Sequence, residues 1–588
     1  MTDPMEPRQK AWLHSFLDEN HLNYTTSPDL VASPAQIRFM VVVDQNEPYY
    51  PCSERLYNEI MARVKSPLLG ELYADVWSRI SRLVQEKVED PKQRDFLIDL
   101  LNIKYQHETS NYNIIPSRVE KRLFKLFLVT TQIEDPLIVE KTARNKRALE
   151  ILKSHDFLRA VNRLAGPHHP GESFEEGNFE SLRRHIDAHK LRRLFTASVR
   201  KDLWEKNGPL PTYDQWEEIF SHEPTDDGWE HLETFLLTPR KDLAGHWERR
   251  TILYLADQAG EIVFDAALVE MLIRLGHTVI LVVKNASLYD RVYLGDILTC
   301  PALKELTRDA EIITTANMSK NDLAACLKND RRFKIISDGT MEKLNLARTS
   351  VTFSRVFKEV DGVISKGPDQ RGRFFESRFE LTRDVYSLCS DESNDLSVMF
   401  KPMCPRAVHF SSQDLEDRAG AIINQMREAK DKGNTVMFYS GIVGSIPGEI
   451  DTAIKVMTTF VDYLSQQQAQ TFIINPSKYF VEGMDADDLM YMWEQVQRSG
   501  YIDIWRFQTV NDIEKSFELM GRKVPAQWVG KDSTYSTGCT KEMGIALDVQ
   551  KHNREMQIIG PDPEKFFRRG EYGIGLFHDT KLNEIYER

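Results

Sequence analysis

The chain has 588 residues, with 76 Lys and Arg against 89 Asp and Glu, a formal net charge of −13. At 41% hydrophobic and 28% charged it is ordinary globular material for several cores, while 29 Gly and 25 Pro are too few for collagen or a mainly disordered chain. No stretch approaches ~18 consecutive apolar residues and the first residues lack a signal-peptide apolar region, so a cytoplasmic protein without membrane contact is expected.

A sequence pI near 5.7, with no dense Lys/Arg block, argues against nucleic acid as a partner. Cys52, Cys300, Cys326, Cys389, Cys404 and Cys539 lie far apart, with no Cys-x-x-Cys, and read as reduced thiols.

Residues 1–245 read as a mainly helical region. Leu97 to Leu101 and Leu123 to Leu128 are apolar runs in charged surroundings. At Asp135-Pro136-Leu137 a helix is expected to start, with Asp135 as N-cap and Pro136 as first helical residue. Segments 166–178 and 207–229 read as loops, and His168-His169 between prolines reads as a solvated pair.

The texture changes over 246–408. Short β-branched runs (251–256, 277–283, 310–315, 333–336 and 360–365) alternate with helices, which predicts a doubly wound α/β unit with a parallel sheet covered on both faces. A second, smaller α/β domain is expected over 409–588, with strands at 435–439, 471–474 and 502–507 and an irregular tail. Its turn Ser440 to Glu449 is Gly-rich but lacks the Lys-Ser/Thr of a P-loop, so a structural turn is the simpler reading. Cys539, in the hydroxyl-rich run 531–542, has no assignable base and reads as an ordinary thiol.

Ligands of open α/β sheets bind beyond the carboxyl ends of the strands. There the sequence puts Asp257-Gln258-Ala259-Gly260-Glu261 after the first strand and Asp290 after the second. Glu261 and Asp265 share a face of an otherwise apolar helix and need cationic partners. Carboxylate and amide oxygens converging on one rim suit a hard divalent cation. After the fifth strand, Lys366-Gly367 offers a point charge and a backbone N–H to phosphate, with Arg371 beside it. Helix capping and solvated turn charges are the plain alternatives.

The run Leu255 to Asp265 resembles the Asp-Asn-Ala-Gly-Glu-x-Val-x-Asp signature of the damage-control metal-dependent phosphatases. Asp135-Pro136-Leu137 with Lys141 and Asn145 is similar to that family's Asp-Pro-Tyr…Lys…Asn helix, and Leu288 to Val292 to its Asn-Asp-Val turn. Val360 to Gly367 and Phe400 to Pro405 complete a resemblance covering about residues 55–405. It implies Asp257, Gln258 and Asp290 as ligands of a divalent metal (Mn, Co, Ni or Mg), with Asp257 and Glu261 catalytic. It also implies Lys366, Gly367, Arg371 and Asp265 on the substrate side, and a helical cap over the core. The implied activity is metal-dependent hydrolysis of phosphate esters of a small phosphorylated metabolite.

Two positions depart from the family. Gln258 stands for Asn, displacing the amide by about 1.5 Å, and Pro368-Asp369-Gln370-Arg371 replaces a segment that usually carries Asn. These departures keep a catalytically silent metal- or ligand-binding protein with a regulatory C-terminal domain as the alternative, ahead of an S-adenosylmethionine-dependent carboxyl methyltransferase.

Overall fold

The structure is a computed structural model that describes residues 6–575 apart from 29, 45–46, 64–65, 164–178, 206–207, 239, 242–246, 249, 480 and 482. His168 and His169 lie outside the described residues. Two compact units divide the chain, Met1–Ala407 and Val408–Arg588.

The first unit is built on seven strands: β1 (Thr251–Leu255), β2 (Thr278–Val283), β3 (Glu311–Ile313), β4 (Phe333–Ser337), β5 (Gly362–Lys366), β6 (Asp384–Ser390) and β7 (Leu396–Lys401). Their order is β7-β6-β5-β1-β2-β4-β3. All neighbours are parallel except β6 and β7. The chain leaves β1 toward β2 but returns on the other side of β1 with β5, so the topological switch lies between β1 and β5.

Side-chain alternation divides the sheet between two cores. Leu253, Leu255, Ile280, Val282 and Val363 face one layer, which includes helices α1 (Pro67–Lys87) and α2 (Pro116–Thr131). Ile252, Tyr254, Val279, Leu281 and Ile364 face the other, with α3 (Ile138–Leu152), α4 (Phe179–Ser198) and α5 (Glu261–Arg274). Because β1 and β2 are buried on both faces they read as continuous apolar runs, which is why they were legible. Helices before residue 245 therefore contribute to both outer layers, beside Glu261–Arg274 on one face and Val351–Glu359 on the other, and Met1–Ala407 is one compact unit.

Three local expectations are corrected. Asp135 does not cap α3; it accepts from the Leu137 N–H at 3.0 Å in the turn before the helix, which starts at Ile138. Segment 207–229 carries the helix Tyr213–Ser221 and the start of Gly228–Leu237. Strands β6 and β7 were missed because Ser387 and Ser397 interrupt their apolar pattern. Those serines are buried and are satisfied by Arg371.

The second unit holds four parallel strands, β8 (Thr435–Ser440), β9 (Thr471–Ile474), β10 (Ile504–Phe507) and β11 (Gln557–Ile559), in the order β9-β8-β10-β11. The stretch expected as an irregular tail contains the helices Val510–Leu519 and Thr537–His552 as well as β11. Among the described residues of the whole chain, no helix is long and apolar enough to cross a membrane.

A cationic cleft at the switch of the parallel sheet

Beyond β1 the backbone is stitched to the turn after β2. Val292 N–H donates to Asp257 O at 3.1 Å, Ala259 N–H donates to Asp290 O at 3.0 Å, and Gln258 pairs with Arg291 in an isolated antiparallel bridge. This places Arg291 directly on Asp257, whose Oδ1 it ion-pairs. Asp257 is 2% exposed and its Oδ2 has no hydrogen-bond partner.

Two glycines make this approach possible. At Gly367, with φ +86°, a Cβ would land on Asp257 Oδ2, so the end of β5 can lie against the carboxylate only without a side chain. Gly260, with φ +88°, lies against the Trp204 indole and donates its N–H to Asn145 Oδ1 at 2.6 Å. Asn145 thus ties α3 to the start of α5. Lys141, one turn earlier, is buried between Asp135 (2.5 Å) and Asp296 (2.7 Å).

Over Gln258, Asp290 and Arg291 opens a cleft of about 340 Å³. Five cations line it, Arg79, Arg82, Arg144, Arg291 and Lys343, against three carboxylates. Arg291 also meets Asp369 at 2.6 Å, Asp369 meets Lys343 at 3.0 Å, and Arg79 meets Glu120 at 2.7 Å. Burial pushes the Asp369 carboxyl up, but Arg291, Lys343 and Arg373 outweigh it and hold it below the ordinary carboxylate range. Tyr289 also lines the cleft; its phenol oxygen is buried without a partner, and burial pushes its pKa up, so it remains a neutral O–H donor.

The residues implied as metal ligands do not fit a divalent ion. Asp257 spends one oxygen on Arg291 and packs the other against Gly367. Asp290 turns to Arg144 at 3.5 Å. Among the described residues, no group of three His, Cys, Asp or Glu side chains is placed to hold a metal. Two unit charges 4 Å apart interact by about 4 kcal/mol at an effective dielectric near 20, so a divalent ion beside the guanidinium would meet about 8 kcal/mol of repulsion.

The residues expected on the substrate side sit elsewhere. Lys366 is fully buried, its ammonium held by Glu261 (2.8 Å), Asp265 (3.4 Å) and Ser198 Oγ (2.7 Å), so it cannot clamp a phosphate in the cleft. Burial works against this ammonium, but Asp265 and Glu261 outweigh it and raise its pKa above the ordinary value. Burial pushes Asp265 up to about 7 despite Lys366, with Glu261 adding to the rise and Tyr254 donating to its Oδ1 at 2.6 Å. Glu261 and Asp265 therefore belong to a buried charge cluster and not to a catalytic rim. The Gly367 N–H is already bonded to Leu388 O at 3.0 Å. Arg371 binds the side chains and carbonyls of Ser387 and Ser397, at 2.6 to 3.1 Å, and clips β6 to β7.

Arg79, Arg144, Arg291, Lys343 and Tyr289 were missed as site residues. Arg291 and Tyr289 stand inside the turn Leu288 to Val292 and Arg144 next to Asn145, so their neighbourhood is visible in the sequence; Arg79 and Lys343 carry no local signal. In the second unit, the Gly-rich turn is internally satisfied. Ile442 N–H donates to Gln508 Oε1 at 3.0 Å, and Cys539 Sγ donates to Gly441 O at 3.3 Å. Burial raises the Cys539 pKa well above the ordinary thiol value, so it is no thiolate.

A doubly wound parallel sheet with a cation-lined cleft beyond the carboxyl ends of β1 and β2 defines the class of α/β protein in outline. The damage-control phosphatase ARMT1-like domain matches residues 68–370, about half of the chain, and the protein belongs to that family. Among solved structures it is similar to a DUF89-family protein of Pyrococcus horikoshii, at 16% identity over 56% of this chain and 98% of that one, with a TM-score of 0.39. No curated protein matches the chain.

Proposed function

We propose that the first unit binds a small phosphorylated metabolite by its phosphoryl group in the cleft over Gln258 and Arg291. The observation that carries this is the five cations gathered from α1, α3, the turn after β2 and the β4–β5 connection around one cavity. Guanidinium groups offer paired N–H donors matched to phosphoryl oxygens, and Lys343 adds a point charge. Exposed Arg82 makes no ion pair among the described residues and can meet an incoming anion first. Family membership supports phosphate-ester chemistry, whereas the Asp257–Arg291 pair weighs against its metal-assisted form.

Calorimetric titration of the full chain with inorganic phosphate and with a hexose phosphate tests the reading. Saturable 1:1 binding that weakens about tenfold or more in Arg82→Ala and Arg144→Ala is expected, each variant removing a charge-assisted bond worth about 1.5–3 kcal/mol. Heat-free titrations up to millimolar ligand would reject the cleft as a phosphoryl site.

A further inference from the structure

We infer that Arg291 replaces the divalent ion of this family's site, so that the cleft binds a phosphoryl anion without metal and does not turn it over. This rests on the phosphoryl-binding reading for its ligand, but the loss of the ion is argued independently. The turn Leu288 to Val292 resembles the family's Asn-Asp-Val. With Val292 in register with that Val, the turn's Asp falls on residue 291, which here is Arg.

The fold supports this register. Val292, not its neighbour, donates to the Asp257 carbonyl, and the side chain carried onto Asp257 is the Arg291 guanidinium. Asp290 belongs to the pair with Arg144. A second carboxylate, Asp369, holds the guanidinium from its other side at 2.6 Å. Asp369 comes from the segment that departs from the family after Gly367. Three unusual residues therefore meet here: Gln258 and Arg291 as partners in the backbone bridge, and Asp369 on the Arg291 guanidinium opposite Asp257.

The chemistry follows from the cation. A guanidinium carries its charge permanently and offers several N–H donors, so it can hold phosphoryl oxygens. It has no open coordination position, so it cannot bind a water and lower its pKa to make a nucleophile at neutral pH. Asp257, paired with Arg291, is likewise not available as a free base. The site keeps recognition and loses hydrolysis.

The test uses chelator-treated full-length protein. Mn²⁺ is titrated alone by calorimetry and paramagnetic resonance, hexose phosphate is titrated with and without EDTA, and aryl phosphate hydrolysis is followed with added Mn²⁺, Co²⁺, Ni²⁺ or Mg²⁺. The inference expects no stoichiometric Mn²⁺ binding, hexose phosphate affinity unchanged within about twofold by EDTA, and no metal-dependent turnover. Arg291→Asp together with Gln258→Asn is expected to raise Mn²⁺ affinity at least about 100-fold by turning repulsion into ligation. The unmodified protein carries the decision if that variant does not fold. One Mn²⁺ bound at micromolar concentration and lost in Asp257→Asn, or hydrolysis restored by a metal, would overturn the inference. Mn²⁺ unbound and no hexose phosphate bound under either condition would leave the replacement standing and remove the phosphoryl-binding reading.

Discussion

Replacing Lys366 by Met separates the two roles a lysine at this strand end can have. In the structure its ammonium lies 2.8 Å from Glu261, 3.4 Å from Asp265 and 2.7 Å from Ser198 Oγ, with no exposure. Methionine keeps most of the volume but leaves two buried carboxylates without their cation. Removing one partner of such a buried cluster costs about 3–5 kcal/mol. The cost depends on pH, because burial already pushes Asp265 up to about 7 and loss of the cation raises it further. Below that range Asp265 takes up a proton and the penalty shrinks. Urea unfolding followed by circular dichroism at pH 5.5 and 7.5 measures both quantities, with the larger loss expected at pH 7.5. Hexose phosphate affinity of the folded variant should stay within about threefold of the parent, since no hydrogen bond to the ligand is removed. An unchanged unfolding midpoint with a tenfold or greater loss of affinity would refute the buried placement and restore Lys366 as a phosphate clamp.

The remaining predictions use other parts of the fold. Asp265 has a folded pKa of about 7, above its unfolded value, so its contribution is fully present below about pH 4 and is lost as pH rises through 7. Asp265→Asn should therefore flatten that fall in stability, and pH-dependent urea midpoints of the two proteins would show it. Gly367→Ala forces an alanine to φ +86° and puts its Cβ on Asp257 Oδ2; a loss of at least about 1–3 kcal/mol is expected in the same assay. Arg371→Met removes the four hydrogen bonds that Arg371 makes to Ser387 and Ser397, leaving Ser397 its bond to Asp226, and should cost about 1–3 kcal/mol while hexose phosphate affinity is unchanged. Five of the six thiols are buried and Cys326 is partly exposed, so a thiol reagent should titrate one group in the native protein and six in urea.

The α/β class, the five parallel strands and the polar loop after β1 were legible because each is written locally. A strand buried on both faces is a run of apolar residues, and a glycine at positive φ marks the tight entry to a buried helix. Motifs in chain order carried the family as well. Strands with interior serines escaped, since Ser387 and Ser397 are tolerable only once Arg371 reaches them across the sheet.

The sequence by itself determined the elements, their alternation and which polar residues stand at strand ends. Only the tertiary structure decided which way those residues turn. Lys366 and Gly367 are neighbours in the chain, yet one is drawn inward by Glu261 and Asp265 while the other meets Asp257 across the switch. Arg291 finds Asp257 and Asp369, 34 and 78 positions away, and Lys366 finds Ser198 at a separation of 168. Charge pairing acts through distances of a few ångströms, and those distances exist only after the sheet has brought remote segments to one edge.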